Sequence, residues 1–424
     1  MKRIGNKNSI IKKGSKRMAV AAVAALFTVM SVVPAFAAQA AGSPVIEGAP
    51  AGPGGMQATQ PNHEGTNITE AYWALLGDNV LEYNEINDRI RYFNPTITNN
   101  TGKINDAVEE IKDQKDDILD TIADLKESLE LAKQMEPGPE RDETILRLQF
   151  GIAQAERGRK QINNAIQSLT SEKSATQTAI TRGINQMARG VQSLIIGYKT
   201  LLTQKELLKK LSELNQEIYN TQVALASVGM ATQIDVNKAQ ADMLSAQTNI
   251  SSLEGTETQL YNQIKVLCGW RITDMPILGE VPAADVNRMA AYNPEVDYIY
   301  AAGNNSSVNA SRSKAGSGVA SSELRNQSVA QNTDLVRAKL QTAYANVLAA
   351  KQDYDAAAAG YQAAQINKNS AEVSYKLGMM SKAQYLGALV AATQKEAQFK
   401  STDLALTQAM NNYEGAVDGS IVLD

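Results

Sequence analysis

The sequence predicts an all-α protein of long antiparallel helical hairpins or coiled coils, arranged in two repeats. Three observations predict this fold class. A short turn centred on glycine occurs twice, at residues 229–235 and 378–384. A similar seam of apolar residues follows each turn, and a separate charged segment at residues 103–173 has the spacing of a coiled coil. Together they indicate an internal duplication of a helical hairpin.

Each turn has residues suited to ending one helix and starting the next. Gly229 follows an apolar-periodic stretch, where a left-handed residue commonly closes a helix. Thr232 comes three residues later and Asp235 three residues beyond it, which is the spacing of a capping box. The second turn has the same spacing with Gly378, Ser381 and Gln384. We therefore expect a helix, a tight turn and a capped helix in both places.

The apolar seams after the turns keep one register. Val236 and Tyr385 each lie seven residues after their glycine. Steps of three and four residues predict a helix face that packs on other helices. The first seam is Val236, Ala239, Met243, Ala246, Ile250, Leu253, Leu260, Ile264 and Leu267. The second is Tyr385, Ala388, Ala392, Phe399, Leu406, Ala409, Tyr413 and Ala416.

Residues 103–173 predict an antiparallel coiled-coil hairpin within the first repeat. The outgoing seam is Ile104, Val108, Ile111, Ile118, Ile122, Leu125, Leu129 and Ala132. Pro137, Gly138 and Pro139 then stop the helix. The return seam is Ile145, Leu148, Ile152, Ala155, Ile162, Ile166 and Leu169. The flanking positions are rich in charged residues, which is typical of solvated outer faces.

The N-terminus predicts export. Residues 1–37 have a basic segment, an apolar segment from Met18 to Val33 and the cleavage-site pattern Ala35-Phe36-Ala37, as in a secretory signal peptide. A retained anchor is the weaker interpretation, since a small-residue stretch follows at once. No second apolar run reaches the roughly 18 residues that a spanning helix needs. Residues 38–66, rich in Gly, Pro and Ala, predict a disordered linker.

The composition argues against several function classes. The chain has one histidine, His63 in the linker, and one cysteine, Cys268 at a predicted helix end. A histidine-based catalytic arrangement or metal site therefore lacks its usual component, and we predict no catalytic, cofactor-binding or metal-binding residues. A buried role is expected for Cys268. The net charge of −4, without a basic stripe, does not favour a nucleic-acid partner.

The remaining segments divide the chain into two repeats, 67–283 and 284–424. The first opens with a short helix, Ile68–Leu76, and a further helical stretch that Pro95 interrupts. Residues 269–294 are expected to connect the repeats, and the polar stretch 303–331 to form a loop. Residues 333–377 predict an alanine-rich helix that leads into the second turn.

At the two turns the sequence resembles the TolC family of outer-membrane efflux proteins. The similarity lies in Val228-Gly229-Met230-Ala231-Thr232-Gln233-Ile234-Asp235, with the helix that follows up to Gly269, and recurs in Tyr375-Lys376-Leu377-Gly378-Met379-Met380-Ser381. It covers roughly half of the sequence after the signal peptide. The resemblance implies a TolC-like α-barrel body, a homo-oligomer that would be a trimer, and work in an efflux or secretion assembly.

The resemblance also implies where a partner binds. In the family the glycine turns meet a membrane-fusion (adaptor) protein, which connects them to an inner-membrane pump. The adaptor-docking residues implied here are Gly229, Met230, Ala231, Thr232, Asp235, Gly378, Met379, Met380, Ser381 and Gln384. The alternative interpretation is that these residues only form tight turns.

The sequence departs from the family where membrane strands are expected. Transmembrane strands need about 9–11 residues of alternating polarity. The first repeat has the charged hairpin at that place, and the second has the polar stretch 303–331. The prediction is therefore a TolC-like helical body without a clear β-barrel, exported to the cell envelope or surface, with an outer-membrane location only if the host has that membrane.

Two functions from different classes remain open. The first is a non-enzymatic component of an efflux or secretion assembly, which the duplicated turns favour. The second is a structural or interaction protein of the cell surface that no longer forms a channel, which the charged hairpin favours. An enzyme is a distant third, because no catalytic constellation is found.

Overall fold

The computed structural model describes residues 68–172, 174–313, 319–380 and 382–421. The predicted signal peptide 1–37 and linker 38–66 lie outside these ranges, as does Ser381. The expected all-α fold is confirmed. The described chain divides into two compact units, which we name the hairpin unit (residues 95–184) and the main unit (residues 68–94 and 185–421).

The helices and strands follow one another in this order: α1 (Glu70–Gly77), β1 (Val80–Leu81), α2 (Ile86–Phe93), α3 (Pro95–Lys133), α4 (Pro139–Thr170), α5 (Ala175–Ser227), α6 (Gln233–Leu267), β2 (Ile277–Leu278), a 3-10 helix (Val286–Ala291), α7 (Pro294–Asn304), α8 (Ser306–Ser313), α9 (Val319–Lys376) and α10 (Lys382–Asp418). α5 and α9 are 53 and 58 residues long. At 1.5 Å per residue they extend about 80 Å and about 87 Å.

The hairpin unit confirms the predicted antiparallel pair of helices. α3 and α4 contact each other along the predicted seams, with Ile104, Ile122, Leu148 and Leu169 among the buried side chains. The chain reverses between Lys133 and Pro139, where proline pre-sets the first turn of α4. Outer positions, including Leu146 and Phe150, are exposed.

In the main unit, α6 contacts α5, α5 contacts α10, and α10 contacts α9. Tyr198 and Tyr261 bring α5 and α6 together, with ring centroids 6.0 Å apart. The α5 carboxylate of Glu206 lies 3.9 Å from the Lys400 ammonium of α10. Tyr361 of α9 stacks on Phe399 of α10 at 5.5 Å. Neighbouring helices in this series are antiparallel, because residue numbers increase along one helix while those of the contacting residues on the next helix decrease.

The second helical pair, α9 and α10, packs through aliphatic side chains together with alanines and tyrosines. Its core also receives α7 and α8, and its fully buried members include Tyr413, whose hydroxyl donates to the Asp297 carboxylate at 2.6 Å. Tyr413 stacks on Tyr292 with centroids 4.6 Å apart. The buried set is Ala301, Ala302, Val308, Val336, Leu340, Val347, Leu406, Met410, Tyr413 and Ala416.

A buried arginine organises the ends of α1, α2 and α6. The Arg89 guanidinium lies between the rings of Phe93 and Trp270, 4.0 Å and 3.8 Å from their centroids. It donates to the Leu76 and Cys268 carbonyls, which close α1 and α6. Burial lowers the pKa of Arg89 to about 10. A cation at two helix C-termini satisfies carbonyls that have no partner inside their helices.

Two sequence predictions need correction here. The stretch 303–331 is not a loop in its described part, since α7 reaches Asn304, α8 is Ser306–Ser313 and α9 begins at Val319. Polar residues support helix in this place, because the Asn305 side chain accepts from the amides of Ser307 and Val308 and caps α8. Residues 314–318 lie outside the described ranges.

The second correction concerns the start of the ordered chain. The sequence predicted that the first helix runs through Asp78 and Asn79 into a further helical stretch. That stretch is α2, but β1 lies between α1 and α2 and pairs in parallel with β2, joining Val80 to Ile277 and Leu81 to Leu278. The interruption predicted at Pro95 is confirmed, since Asn94 is extended and α3 begins at Pro95. Within the described ranges, none of the helices is both long enough and apolar enough to cross a lipid bilayer.

Candidate docking surface

The first turn has the geometry that its sequence predicts. Gly229 has a φ of +75° and follows α5. Its amide donates to the Ala226 carbonyl at 3.1 Å, and the Met230 amide donates to the Leu225 carbonyl at 2.8 Å. These two bonds define a Schellman motif, which requires a left-handed residue at the glycine. No atom lies within 4 Å of the position that a Cβ on Gly229 would occupy, so backbone conformation, not space, favours glycine here.

The capping box of α6 is also confirmed. The Asp235 amide donates to the Thr232 hydroxyl at 3.3 Å, and the Thr232 amide donates to the Asp235 carboxylate at 2.9 Å. The hydrogen bond from the Thr232 side chain, followed by that from its backbone, lowers the pKa of Asp235. An anion at a helix N-terminus is favourable as well. Ala231, between the Schellman motif and the box, is half-buried.

The second turn repeats the same helix ending. Gly378 has a φ of +70°, and its amide donates to the Tyr375 carbonyl at 3.0 Å. The Met379 amide donates to the Ser374 carbonyl at 2.9 Å. Met380 is half-buried, and Gln384 lies on an exposed face in the first turns of α10. The capping box predicted for Ser381 falls outside the described residues.

Both turns lie at the same end of the main unit. The Lys382 ammonium, at the start of α10, is 2.7 Å from the Glu217 carboxylate in the C-terminal part of α5. This contact raises the pKa of Lys382 through the hydrogen bond to Glu217. At the other end of the same helix pair, Arg189 lies 2.9 Å from Asp418. The antiparallel pairing of α5 and α10 therefore brings the two turns to one end.

Apolar side chains surround the turns and face solvent. Met230 and Met379 are 76% and 72% exposed, and Ile234 is 78% exposed. The exposed apolar residues at this end, which we name the tip surface, are Val228, Met230, Ile234, Leu377 and Met379. A soluble protein seldom exposes neighbouring large apolar side chains without a partner for them.

Sequence reasoning missed several contributors to this surface. It did not find the Lys382–Glu217 contact, because nothing local in either segment indicates that α5 and α10 are neighbours. It also missed the stack of Tyr375 on Tyr385, whose centroids are 4.7 Å apart across the second turn. The antiparallel pairing around Gly378 could have predicted that stack, since both residues follow the helix spacing on the facing sides.

Metal-ligating side chains and the single cysteine can be located in the described residues. No group of three or more His, Cys, Asp or Glu side chains in these ranges is placed to hold a metal ion. Cys268, predicted to be buried, is fully buried, and burial raises the pKa of its thiol to about 12. A protonated, inaccessible thiol is a poor nucleophile and a poor metal ligand.

Comparisons with known proteins give similarity at the level of structure. No protein-family model matches the chain. No curated protein matches it either. The similar solved structures include a membrane protein from Pseudomonas aeruginosa, with 14% identity, a TM-score of 0.40 and coverage of 62% of this chain and 74% of that one.

Two further similar structures are outer-membrane proteins. One is the CmeC outer membrane channel of Campylobacter jejuni, with 14% identity, a TM-score of 0.37 and coverage of 64% and 69% of the two chains. The other is the outer membrane protein VceC of Vibrio cholerae, with 14% identity, a TM-score of 0.39 and coverage of 59% and 75%.

Proposed function

We propose that this chain is an exported, non-enzymatic, TolC-like helical component of an efflux or secretion assembly, and that it docks an adaptor protein through its two glycine turns. One observation supports the proposal above the others. Two helix endings of the same geometry lie at one end of the main unit and expose the tip surface.

The turns have the physical properties of a preformed binding surface. The Schellman bonds and the capping box fix the backbone on both sides of Gly229, so little conformational entropy remains to be lost on binding. Covering an exposed methionine or isoleucine contributes roughly 1.5–3 kcal/mol for each side chain that becomes fully buried. A few such anchors are enough for a specific contact between proteins.

The resemblance supplies the class of partner. An adaptor protein would contact the tip surface and connect it to an inner-membrane pump. The predicted signal peptide, residues 1–37, would bring the chain to the cell envelope, where such an assembly works. No residue of the proposal carries out catalysis, and the turns act only by shape and by apolar contact.

A homo-oligomer is part of the proposal. α9 has large apolar side chains on one exposed face, namely Leu348, Ile366 and Val373. α6, at the other end of the series of helices, exposes Leu244 and Val266 on the face opposite its buried seam. Contact between the α9 face of one copy and the α6 face of the next would cover both, and the family resemblance suggests three copies.

A cross-linked pull-down tests the docking role. Tagged wild-type protein and the variants Met230→Arg, Met379→Arg and Met275→Arg are expressed in the native cell, cross-linked in the envelope and purified, and their partners are identified by mass spectrometry. Met275 is the matched control, because it is 71% exposed but lies beyond the opposite end of α6. Each variant adds the same charge to an exposed position.

We expect an adaptor or pump subunit with wild type and with Met275→Arg, and its loss with either turn variant. Burying an arginine charge against an apolar partner has a large desolvation cost, so recovery should fall at least about tenfold. Recovery of the same adaptor with all four proteins would contradict docking at the turns. Absence of any transport component from the wild-type sample would contradict the efflux role.

A second function is favoured by the hairpin unit. Asp106, Asp113, Asp120 and Glu127 recur every seven residues on the exposed face of α3. None of these carboxylates makes an ion pair within the described part of the chain. From this acidic face we infer an alternative function. The chain would be a non-channel structural or interaction protein of the cell surface, and the face would bind a basic partner.

The alternative has its own test. Charge reversal by Asp113→Lys with Asp120→Lys should abolish capture of a wall or surface protein, and the turn variants should leave that capture intact. The efflux proposal expects the opposite pattern. Captured proteins that respond to the turn variants alone would rule out the surface-protein alternative.

A further inference from the structure

Each glycine turn presents a methionine to solvent at the same structural position. Met230 and Met379 directly follow Gly229 and Gly378, and each donates its amide to the preceding helix. A side chain at this place commonly packs back on its helix. Here the two side chains are 76% and 72% exposed, so the thioethers contribute to the tip surface and not to the helix ends.

We propose that Met230 and Met379 form a paired oxidation site that switches the tip surface from apolar to polar without unfolding the turns. The regulatory meaning of this switch rests on the proposed docking function. A peroxide is the oxidant class. The methionine sulfur attacks one oxygen of hydrogen peroxide, an S–O bond forms as the O–O bond breaks, and the other oxygen leaves as hydroxide. The oxygen now bound to sulfur loses its proton, and the hydroxide takes up a proton to become water, which leaves the sulfoxide. Sulfur loses two electrons and the peroxide gains them.

The hydrogen bonds of the turns do not depend on the thioethers. The bonds that define each Schellman motif join main-chain atoms, with distances of 2.8 Å for Met230 and 2.9 Å for Met379. Oxidation converts a flexible apolar side chain into a polar, chiral one. The backbone of both turns should therefore persist while their surface chemistry changes, and a methionine sulfoxide reductase can reverse the change.

Other methionines provide internal controls. Met410 is 2% exposed in the core of the second helical pair, so it reacts only when that core opens. Met275 is 71% exposed but lies beyond the far end of α6. Its oxidation should be as fast as that of the turn methionines and should leave the tip surface unchanged.

The first experiment measures site selectivity and fold on the full mature chain. Purified protein is treated with hydrogen peroxide, and oxidation at each methionine is followed by peptide mapping. We expect Met230 and Met379 to react at least about tenfold faster than Met410, with unchanged helical circular dichroism. Rates as slow as that of Met410, or loss of helix when only the exposed methionines are oxidised, would overturn the proposal.

Surface polarity is measured by retention on a phenyl column before and after peroxide. Wild type and the control Met275→Leu should elute earlier after oxidation, and Met230→Leu with Met379→Leu should shift by a clearly smaller amount. Comparing each protein with itself removes any difference between the starting surfaces. An equal shift in the double variant would mean that the turn methionines do not control the polarity change, which would overturn the switch.

The pull-down then separates the switch from the docking function. We expect oxidised wild type to recover the adaptor about tenfold less than reduced protein, and reductase treatment to restore recovery. Equal recovery from oxidised and reduced protein would overturn the regulation while the docking function stands. No adaptor from reduced wild type would overturn the docking function, even where the site-selectivity result holds.

Discussion

At the scale of single residues, Gly229 and Gly378 each occupy a left-handed backbone position with open space around the missing Cβ. An added methyl group therefore meets no neighbour but makes that conformation costly. We expect Gly229→Ala and Gly378→Ala each to lower the free energy of unfolding by about 1–2 kcal/mol.

Urea unfolding of the full chain measures this effect. Gly255, an exposed residue inside α6 with no neighbour near its Cβ position, is the matched control. Alanine is the better helix former there and should stabilise by up to about 1 kcal/mol. Equal effects of alanine at Gly255 and at the turns would contradict the argument from backbone conformation.

Cys268 gives a second prediction at this scale. Its thiol is fully buried and its pKa is raised to about 12 by burial, from an ordinary 9.0. We expect almost no reaction with iodoacetamide near pH 9 in the folded chain and complete reaction after unfolding, whereas a cysteine placed at exposed Ser252 should react while folded.

The raised pKa of the Cys268 thiol also determines how the free energy of unfolding changes with pH. The folded thiol keeps its proton more tightly than the unfolded thiol, so its contribution to stability is present below pH 9.0 and is lost as the pH rises toward about 12. Cys268→Ala should remove this part of the alkaline destabilisation. Rapid alkylation of folded wild type would show that the end of α6 opens readily.

At the scale of elements, the hairpin unit shows how a seam determines stability. Leu148 is buried against α3, and Leu146 on the next part of the helix surface is 70% exposed. We expect Leu148→Ala to lower the local free energy of opening by roughly 2–5 kcal/mol, and Leu146→Ala to change it by less than about 0.5 kcal/mol.

Hydrogen exchange of the amides in α3 and α4 measures both changes in the intact chain. The two substitutions remove the same atoms from the same helix, so composition and helix propensity cancel in the comparison. Similar exchange in the two variants would mean that α3 and α4 do not pack along the seam that the sequence predicts.

Elements with a long periodic pattern could be predicted, and short ones could not. The seams from Ile104 to Ala132 and from Ile145 to Leu169 predicted the helical pair, since each pattern extends over several turns. β1 and β2 have two residues each, too few for any alternation to appear. α8 was missed because its single buried apolar residue, Val308, gives no periodicity and its cap comes from Asn305.

At the scale of the whole molecule, the exposed apolar face of α9 predicts self-association. Ile366→Glu places a charge on that face, and Ile299→Glu places one on an exposed face of α7. If α9 contacts a second copy, Ile366→Glu should shift the protein toward monomer at a given concentration and Ile299→Glu should not, because a charge buried without a partner is costly.

Analytical ultracentrifugation of the purified protein checks this expectation. The two substitutions introduce the same charge at comparably exposed isoleucines, so a general effect on solubility would affect both. A wild-type protein that remains monomeric over the whole concentration range would contradict self-association through α9.

The sequence could predict the local structure of each turn of the candidate site, but not that the two turns lie at the same end of the main unit. Gly229, Thr232 and Asp235 define their turn by short-range hydrogen bonds, which depend on residue type and spacing alone. The placement of the second turn at the same end as the first depends on contacts such as that of Glu217 with Lys382, two residues that are far apart in the chain. The sequence of a single segment therefore does not show which distant helix it packs against.

The position of α10 between α5 and α9 has a consequence for how the chain folds as it is made. α10 packs on both α5 and α9, and it follows both of them in the sequence. During synthesis, α5 and α9 are made before α10, so their α10-facing sides stay uncovered until α10 follows. The main unit therefore cannot finish folding until α10, its last long helix, has been made. Chaperones that hold unfolded chains can bind during this interval.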